Sequence, residues 1–135
     1  MLQKLKFRRV TGIYAVCRLP PDAAVPDWAG RGTFTCITRT TDELSIVCSL
    51  EHVPAEHKQG VRWCCLQLVG PFAFSQVGIL ASFIDPLAAS GIPIFAISTY
   101  DTDYVLIRED FAGVGLDALS AAGHELWPKD DLGAS

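Results

Sequence analysis

The stretch from Trp63 to Arg108 constrains the fold more than any other, because its apolar residues change period along it. A short apolar run from Trp63 ends at Gly70-Pro71, where the backbone must turn, and so reads as a strand. From Ser75 the spacing becomes helical. Val77, Leu80, Ala81, Ile84, Leu87 and Ala88 fall on one helical face, and Gly91 supplies a C-terminal stop. Pro86 lies inside that helix and predicts a local distortion, since it cannot donate to the carbonyl one turn back. Ile92 to Ile97 is too short and too continuous for a surface helix; a polar turn from Ser98 to Asp103 and a second apolar run from Tyr104 to Ile107 follow. The unit is strand, helix, strand, turn, strand.

The bounds narrow what that unit can belong to. With 135 residues, half of them apolar, the chain can bury a sizeable core as one ordinary domain or two very small ones. Eleven basic against fifteen acidic residues give a net charge of −4 with no basic cluster, which argues against nucleic acid as a partner. The apolar stretch from Val77 to Ile97 is interrupted by Asp85-Pro86 and by Gly91-Ile92-Pro93, so it reads as helix plus strand in water and not as a membrane span. No secretory signal pattern follows Lys4, Lys6, Arg8 and Arg9, and a cytoplasmic protein is the expectation. Five cysteines without a Cys-x-x-Cys pair suggest reduced, mostly buried thiols, and no motif calls for a cofactor.

In chain order, a ragged segment to Arg9 precedes strands expected at 14–19, 34–39, 44–50, 63–69, 93–99 and 104–108. Pro20-Pro21 and Gly32 leave room between the first two for only a shortened helix around Pro26 to Ala29. Leu44, Ile46, Cys48 and Leu50 alternate onto one face. Asp110 serves as an N-cap for a second helix, Phe111 to Ala122, with Leu116 and Leu119 on its apolar face; His124 to Trp127 makes a last short strand before a frayed tail. The hairpin residues 37–47 align without gaps on 97–107 at an offset of 60, which also sets Pro26 on Pro86. Identity is low, so the match is either an internal repeat or the chance similarity of two hairpins. The fold class expected is α+β, two ferredoxin-like βαββαβ units side by side, antiparallel sheets with helices on one face, divided at 1–62 and 63–135.

Phe34 to Cys48, Gly70-Pro71, Val77 to Ala81, Pro86 to Ala88 and Ile97 to Tyr104 together resemble the small bacterial tandem ACT-domain proteins, and are similar to the regulatory ACT domains of aspartate kinases and to the cytosolic arginine sensor of the mTOR pathway. The resemblance covers nearly the whole chain from Tyr14 to Leu126. It implies two ACT units, a free amino acid bound at their interface as an effector, a regulatory and allosteric role without catalysis, and signalling through a partner protein or a homodimer. It does not imply which amino acid.

A zwitterionic ligand needs exposed backbone N–H groups for its carboxylate and a carboxylate or carbonyls for its ammonium. The turn Ser75, Gln76, Val77, Gly78, Ile79 opens the long helix, and Gly78 lets another group approach closely, although close packing of helix on sheet would equally explain a glycine there. Asp103 is the candidate for the ammonium, with an ordinary turn carboxylate as the plain alternative. Ser98, Thr99 and Tyr100 in the same hairpin, and Thr38, Thr40 and Glu43 in the repeat-related one, are candidate walls. Two weaker constellations remain. His52, Glu56 and His57 have metal-binding side chains, but Pro54 breaks their spacing. Cys64 or Cys65 with His124 would make a small cysteine- or histidine-dependent enzyme acting on an amino-acid-like metabolite, the alternative to a sensor.

Overall fold

A computed structural model describes residues 3–70, 72 and 77–127, in an α+β arrangement that divides into two compact units. Thr11 to Trp63 form one; the residues before Thr11 and after Trp63 form the other.

In the Thr11–Trp63 unit, the later part of strand β1 (Lys6–Leu19) pairs antiparallel with β3 (Leu44–Ser49), Leu19 opposite Leu44. Strand β2 (Cys36–Arg39) pairs on the outer side of β3, Arg39 opposite Leu44. Strand β3 is thus central, with β1 and β2 as its two ladder partners, and all of its residues but Ser45 are buried. Leu44, Ile46 and Cys48 are wholly buried, and with Ala15, Cys17, Leu19, Ala29 and Val53 they make this unit's core, against which Trp28 and Leu50 pack. The helix expected around Pro26 is a single 3-10 turn, Asp27–Gly30, because two prolines and a Gly32 at φ 112° leave no longer helical segment. No α-helix or further strand follows β3 in this unit among the described residues; two more 3-10 turns, Leu50–His52 and Ala55–His57, carry the chain onward.

The other unit holds strands β4 (Trp63–Leu68), β5 (Ile94–Ser98) and β6 (Asp103–Arg108) and helices α1 (Ile79–Ala89) and α2 (Ala112–Ala121). β6 lies between β4 and β5, the same first-third-second order as in the first unit. In β4 the consecutive residues Cys64, Cys65 and Leu66 are all buried, as are Val105, Leu106 and Ile107 in β6, so both faces of these strands are covered. A ferredoxin-like unit would set its last strand antiparallel beside β4. Here the first residues of β1 stand next to β4, and β7 (Glu125–Leu126) pairs with β1 in parallel, Lys6 opposite Glu125 and Phe7 opposite Leu126. The segment before Arg9, which reads from sequence as ragged, therefore supplies the first residues of a long strand, paired in part with β7 more than a hundred residues away.

The buried face of α1 is rotated from the one the sequence suggests, whereas Leu119 of α2 is buried as expected. Of the six residues assigned to the apolar face of α1 only Leu87 is buried, whereas Val77 is 82% exposed; the buried face is Ile79, Ser82, Phe83 and Leu87. Ser82 can lie inside because its hydroxyl takes the Gln3 N–H at 3.1 Å. α1 ends as expected, with Gly91 at φ 74° and the Ile92 N–H returning to the Leu87 carbonyl. At α2 the expected cap is absent: the Asp110 carboxylate instead accepts from Arg108, at 2.9 and 3.2 Å, and Phe111 holds the N-cap position without a side-chain bond. α2 buries Leu119 and Gly115, where an added Cβ would meet Ile107 Cδ1 at 2.8 Å and methyls of Ile92 and Leu87 at 3.5 Å. Gly115→Val is accordingly expected to lower stability by about 1–3 kcal/mol through overpacking, measured by urea denaturation. Wild-type stability in this variant would show that α2 does not seat against β6 as described.

Candidate functional site

The hairpin that joins β5 to β6 is closed by its own side chains. Thr99 N–H donates to the Thr102 carbonyl at 2.8 Å, the Thr99 hydroxyl donates to the same carbonyl at 2.9 Å, and Thr102 N–H returns to the Thr99 hydroxyl at 3.3 Å. Thr102 is 8% exposed and its hydroxyl donates to the Leu68 carbonyl at 2.8 Å, which ties the turn to the end of β4. The chain just beyond β4 approaches the same turn, Phe72 N–H meeting the Asp101 carbonyl at 3.4 Å. This approach favours a glycine at position 70, where a Cβ would lie tightly, 3.2 Å from the Asp101 carbonyl oxygen and 3.1 Å from the Phe72 nitrogen.

Between these elements lies an open groove of about 230 Å³ lined by Arg8, Gln67, Val69, Gly70, Asp101 and Thr102. A guanidinium from β1 and a carboxylate from the hairpin turn thus share one concavity with Gln67, Val69 and Gly70. Tyr104 senses both charges: burial first, then Cys65 and Asp101, raise its hydroxyl above the usual tyrosine range, and Arg8 pulls it back. Chemically, such a groove can hold a small molecule that carries both an anion and a cation. Its volume falls below the ~300–1,000 Å³ of sites for drug-sized ligands, in keeping with a small metabolite.

The residues expected from sequence are only partly assembled here. Ser98 and Asp103 face each other at the base of the hairpin, and the Ser98 hydroxyl donates to the Asp103 carboxylate. Thr99 closes the turn, and Tyr100, beside the groove residue Asp101 in sequence, is 81% exposed. Ser75 lies outside the described residues. Val77 and Gly78 are exposed and precede α1, with Gly78 at φ 77°; among the described residues nothing lies within 4 Å of a Cβ built on it, so its backbone conformation accounts for the glycine. Ile79 points inward at 6% exposure.

Thr38, Thr40 and Glu43 belong to the hairpin of the other unit, where Thr40 N–H donates to the Glu43 carbonyl and Thr40 Oγ1 accepts from the Asp42 and Glu43 N–H groups. Thr40 and Glu43 therefore match Thr99 and Thr102, an offset of 59 and not 60. The residue related to Asp103 is then Leu44, which is wholly buried, and not Glu43. A slip of one residue exchanges the two faces of a strand, which is why the apparent pairing of two carboxylates dissolves.

Arg8, Gln67 and Asp101 were the residues that sequence reading left out. Arg8 was assigned to a ragged start, yet Leu5 and Phe7 are buried while Lys4, Lys6 and Arg8 are exposed. That alternation is the signal of a strand.

His124 is 5% exposed; its Nδ1 accepts the Leu5 N–H at 3.0 Å, so Nε2 bears the proton and donates to the Ser82 carbonyl at 2.8 Å. Burial, and secondarily Cys64, push the Cys65 thiol up to about 12, and burial together with Cys17 pushes Cys48 up to about 11. Arg9 donates to the Cys64 sulfur at 2.9 Å. His52 pairs with Glu51 at 3.4 Å and the His57 ring lies 5.5 Å from that of Trp28; no group of three metal-ligating side chains occurs among the described residues. Among the described residues no helix is long and apolar enough to cross a membrane.

Comparison with known proteins adds three findings. A family model described as an ACT domain matches residues 60–121, and a second model, of an N-terminal domain, matches residues 12–56. Over 72 residues the chain is 35% identical to the Mus musculus cytosolic arginine sensor for mTORC1 subunit 1, covering 53% of this chain and 22% of that protein; the Homo sapiens counterpart is 36% identical over 61 residues, 44% and 18%. The chain thus spans about a fifth of the length of these curated relatives. A crystal structure of an Agrobacterium tumefaciens protein is 41% identical with a TM-score of 0.84, covering 92% of each chain. A Vibrio cholerae protein of unknown function shares the fold at 24% identity and a TM-score of 0.73, over 87% of this chain and 88% of its own.

Proposed function

We propose that the chain, whose residues 60–121 match an ACT-domain model, is a non-catalytic, amino-acid-binding regulatory protein whose ligand occupies the groove at the end of β4. The observation that carries this reading is that Arg8 and Asp101, of opposite charge, line one groove of about 230 Å³. A free amino acid presents a carboxylate and an ammonium a few bonds apart. The guanidinium takes the first through paired N–H donors, and Asp101 takes the second as a charge-assisted acceptor. Thr102, fixed to Leu68, holds the turn that presents Asp101.

The cysteine–histidine enzyme has less support. The Cys65 thiol, pushed up to about 12, stays protonated at neutral pH, and both nitrogens of His124 are committed to backbone groups. The curated relatives are named as cytosolic arginine sensors, which puts arginine first among ligands to try. Signalling from such a module runs through a regulated partner protein or a second copy of the chain.

A thermal-shift panel of free amino acids tests the proposal. At a hundred times its Kd, a ligand that binds only the folded state adds about 2.7 kcal/mol, enough to raise Tm by roughly 10 °C for a chain of this size. One or a few amino acids are expected to give such a shift and to be recovered unchanged. Turnover of the bound compound, or no shift with any amino acid, would overturn the reading.

A further inference from the structure

Arg8 does not line the groove unaided. The parallel register of β1 with β7 sets Lys6 against Glu125 and Phe7 against Leu126, and the Trp127 N–H continues it by donating to the Phe7 carbonyl at 2.7 Å. One step further along, Arg8 and Trp127 come side by side, with the guanidinium carbon 5.6 Å from the centre of the indole ring. Lys6, two residues back on the same side of β1, places its ammonium 6.0 Å from that ring. Trp127 remains 39% exposed, so the ring has its face on the two cations and part of its surface in water.

We propose that Trp127 is a positioning residue for the amino-acid site, holding the Arg8 guanidinium in place to meet the ligand's carboxylate. The inference rests on the functional reading given above. An exposed arginine samples many rotamers, and a bidentate contact with a carboxylate uses only a few of them. Stacking on an indole face restricts the guanidinium before the ligand arrives while leaving its N–H edge open to an anion, because the ring interacts with the flat face and not with the donors. Ligand and β7 are thereby linked: whatever fixes Arg8 from the groove side also fixes the partner on which Trp127 rests, and the last strand is held more firmly when the groove is filled.

The experiment titrates each free proteinogenic amino acid by calorimetry into the full-length wild type and into the variants Trp127→Phe, Trp127→Ala and Lys6→Ala. In parallel, the Arg8 side-chain Nε–H shift is followed by NMR without ligand. Trp127→Ala is expected to weaken binding about two- to fivefold and to move the Arg8 resonance out of the ring current. Trp127→Phe keeps a ring and should retain most of the affinity, and Lys6→Ala should bind as wild type does. A wild-type chain that binds no amino acid overturns the functional reading and this one with it. A wild type that binds while Trp127→Ala binds equally well, or a Trp127→Phe as weak as Trp127→Ala, overturns the positioning role alone.

Discussion

His124→Ala is expected to be the most destabilising single substitution considered, with a loss of about 2–6 kcal/mol, because it strands two buried backbone groups at once. The Leu5 N–H loses its acceptor at Nδ1 and the Ser82 carbonyl its donor at Nε2. The second of these is orphaned for a reason written elsewhere in the chain. In an unbroken α-helix the Ser82 carbonyl would accept from residue 86, which here is a proline without an N–H. His124 supplies the donor that Pro86 lacks. The ring also packs 5.5 Å from Phe83, so the truncation leaves a void as well. Against a typical total of about 5–15 kcal/mol, such a loss would leave a marginal fold.

The pairing of Pro86 with His124 gives this expectation an internal check. Pro86→Ala restores an N–H in line with the Ser82 carbonyl, so in that background His124→Ala should cost less than alone, by about 1–3 kcal/mol of coupling. His52→Ala, at a half-buried histidine paired with Glu51, should stay within about 0.5 kcal/mol of wild type. Urea denaturation of the four variants and the wild type, followed by circular dichroism, reads all of these. Additive losses for Pro86→Ala and His124→Ala would mean that the histidine does not replace the helix bond.

The same pair shows what could be read from sequence and what could not. Pro86 announced a defect in the helix, and the stops at Gly70 and Gly91, the two hairpins and the alternation of Leu44, Ile46 and Cys48 were all local signals. What repairs the defect lies 42 residues away at His124, and no local pattern marks a histidine as the donor for a distant carbonyl. Ser82 misled for a related reason: hydrophobic periodicity scores it as polar, yet Gln3 and His124 satisfy both its hydroxyl and its carbonyl inside the core. The face assigned to α1 was rotated as a consequence. At the site, Asp103 stands out in sequence as the carboxylate that opens a hairpin strand, whereas Asp101 and Arg8 line one groove only because β1 extends back to Lys6. The Lys4-to-Val10 alternation was visible, but its partner strand, two residues long, was too short to signal.

Arg8→Gln and Asp101→Asn should each weaken amino-acid binding about ten- to a hundredfold with little change in folding. A hydrogen bond to a charged group is worth about 1.5–3 kcal/mol, and each 1.4 kcal/mol is about tenfold in affinity. Both side chains are exposed without ligand, so neutralising either leaves no buried charge in the empty protein, and the loss is confined to the complex. The double variant should lose less than the sum of the two, since either change already frees one end of the zwitterion. Asp103→Asn supplies the contrast. Its carboxylate accepts from Ser98 within the hairpin, an asparagine oxygen can keep that bond, and binding should change by less than about threefold. Calorimetry on the wild type and the four variants, with circular dichroism as the folding control, separates two placements of the ligand's ammonium. If Asp103→Asn abolishes binding while Asp101→Asn preserves it, the ammonium sits at the base of the hairpin, and the groove beside Arg8 is not where the amino acid is held.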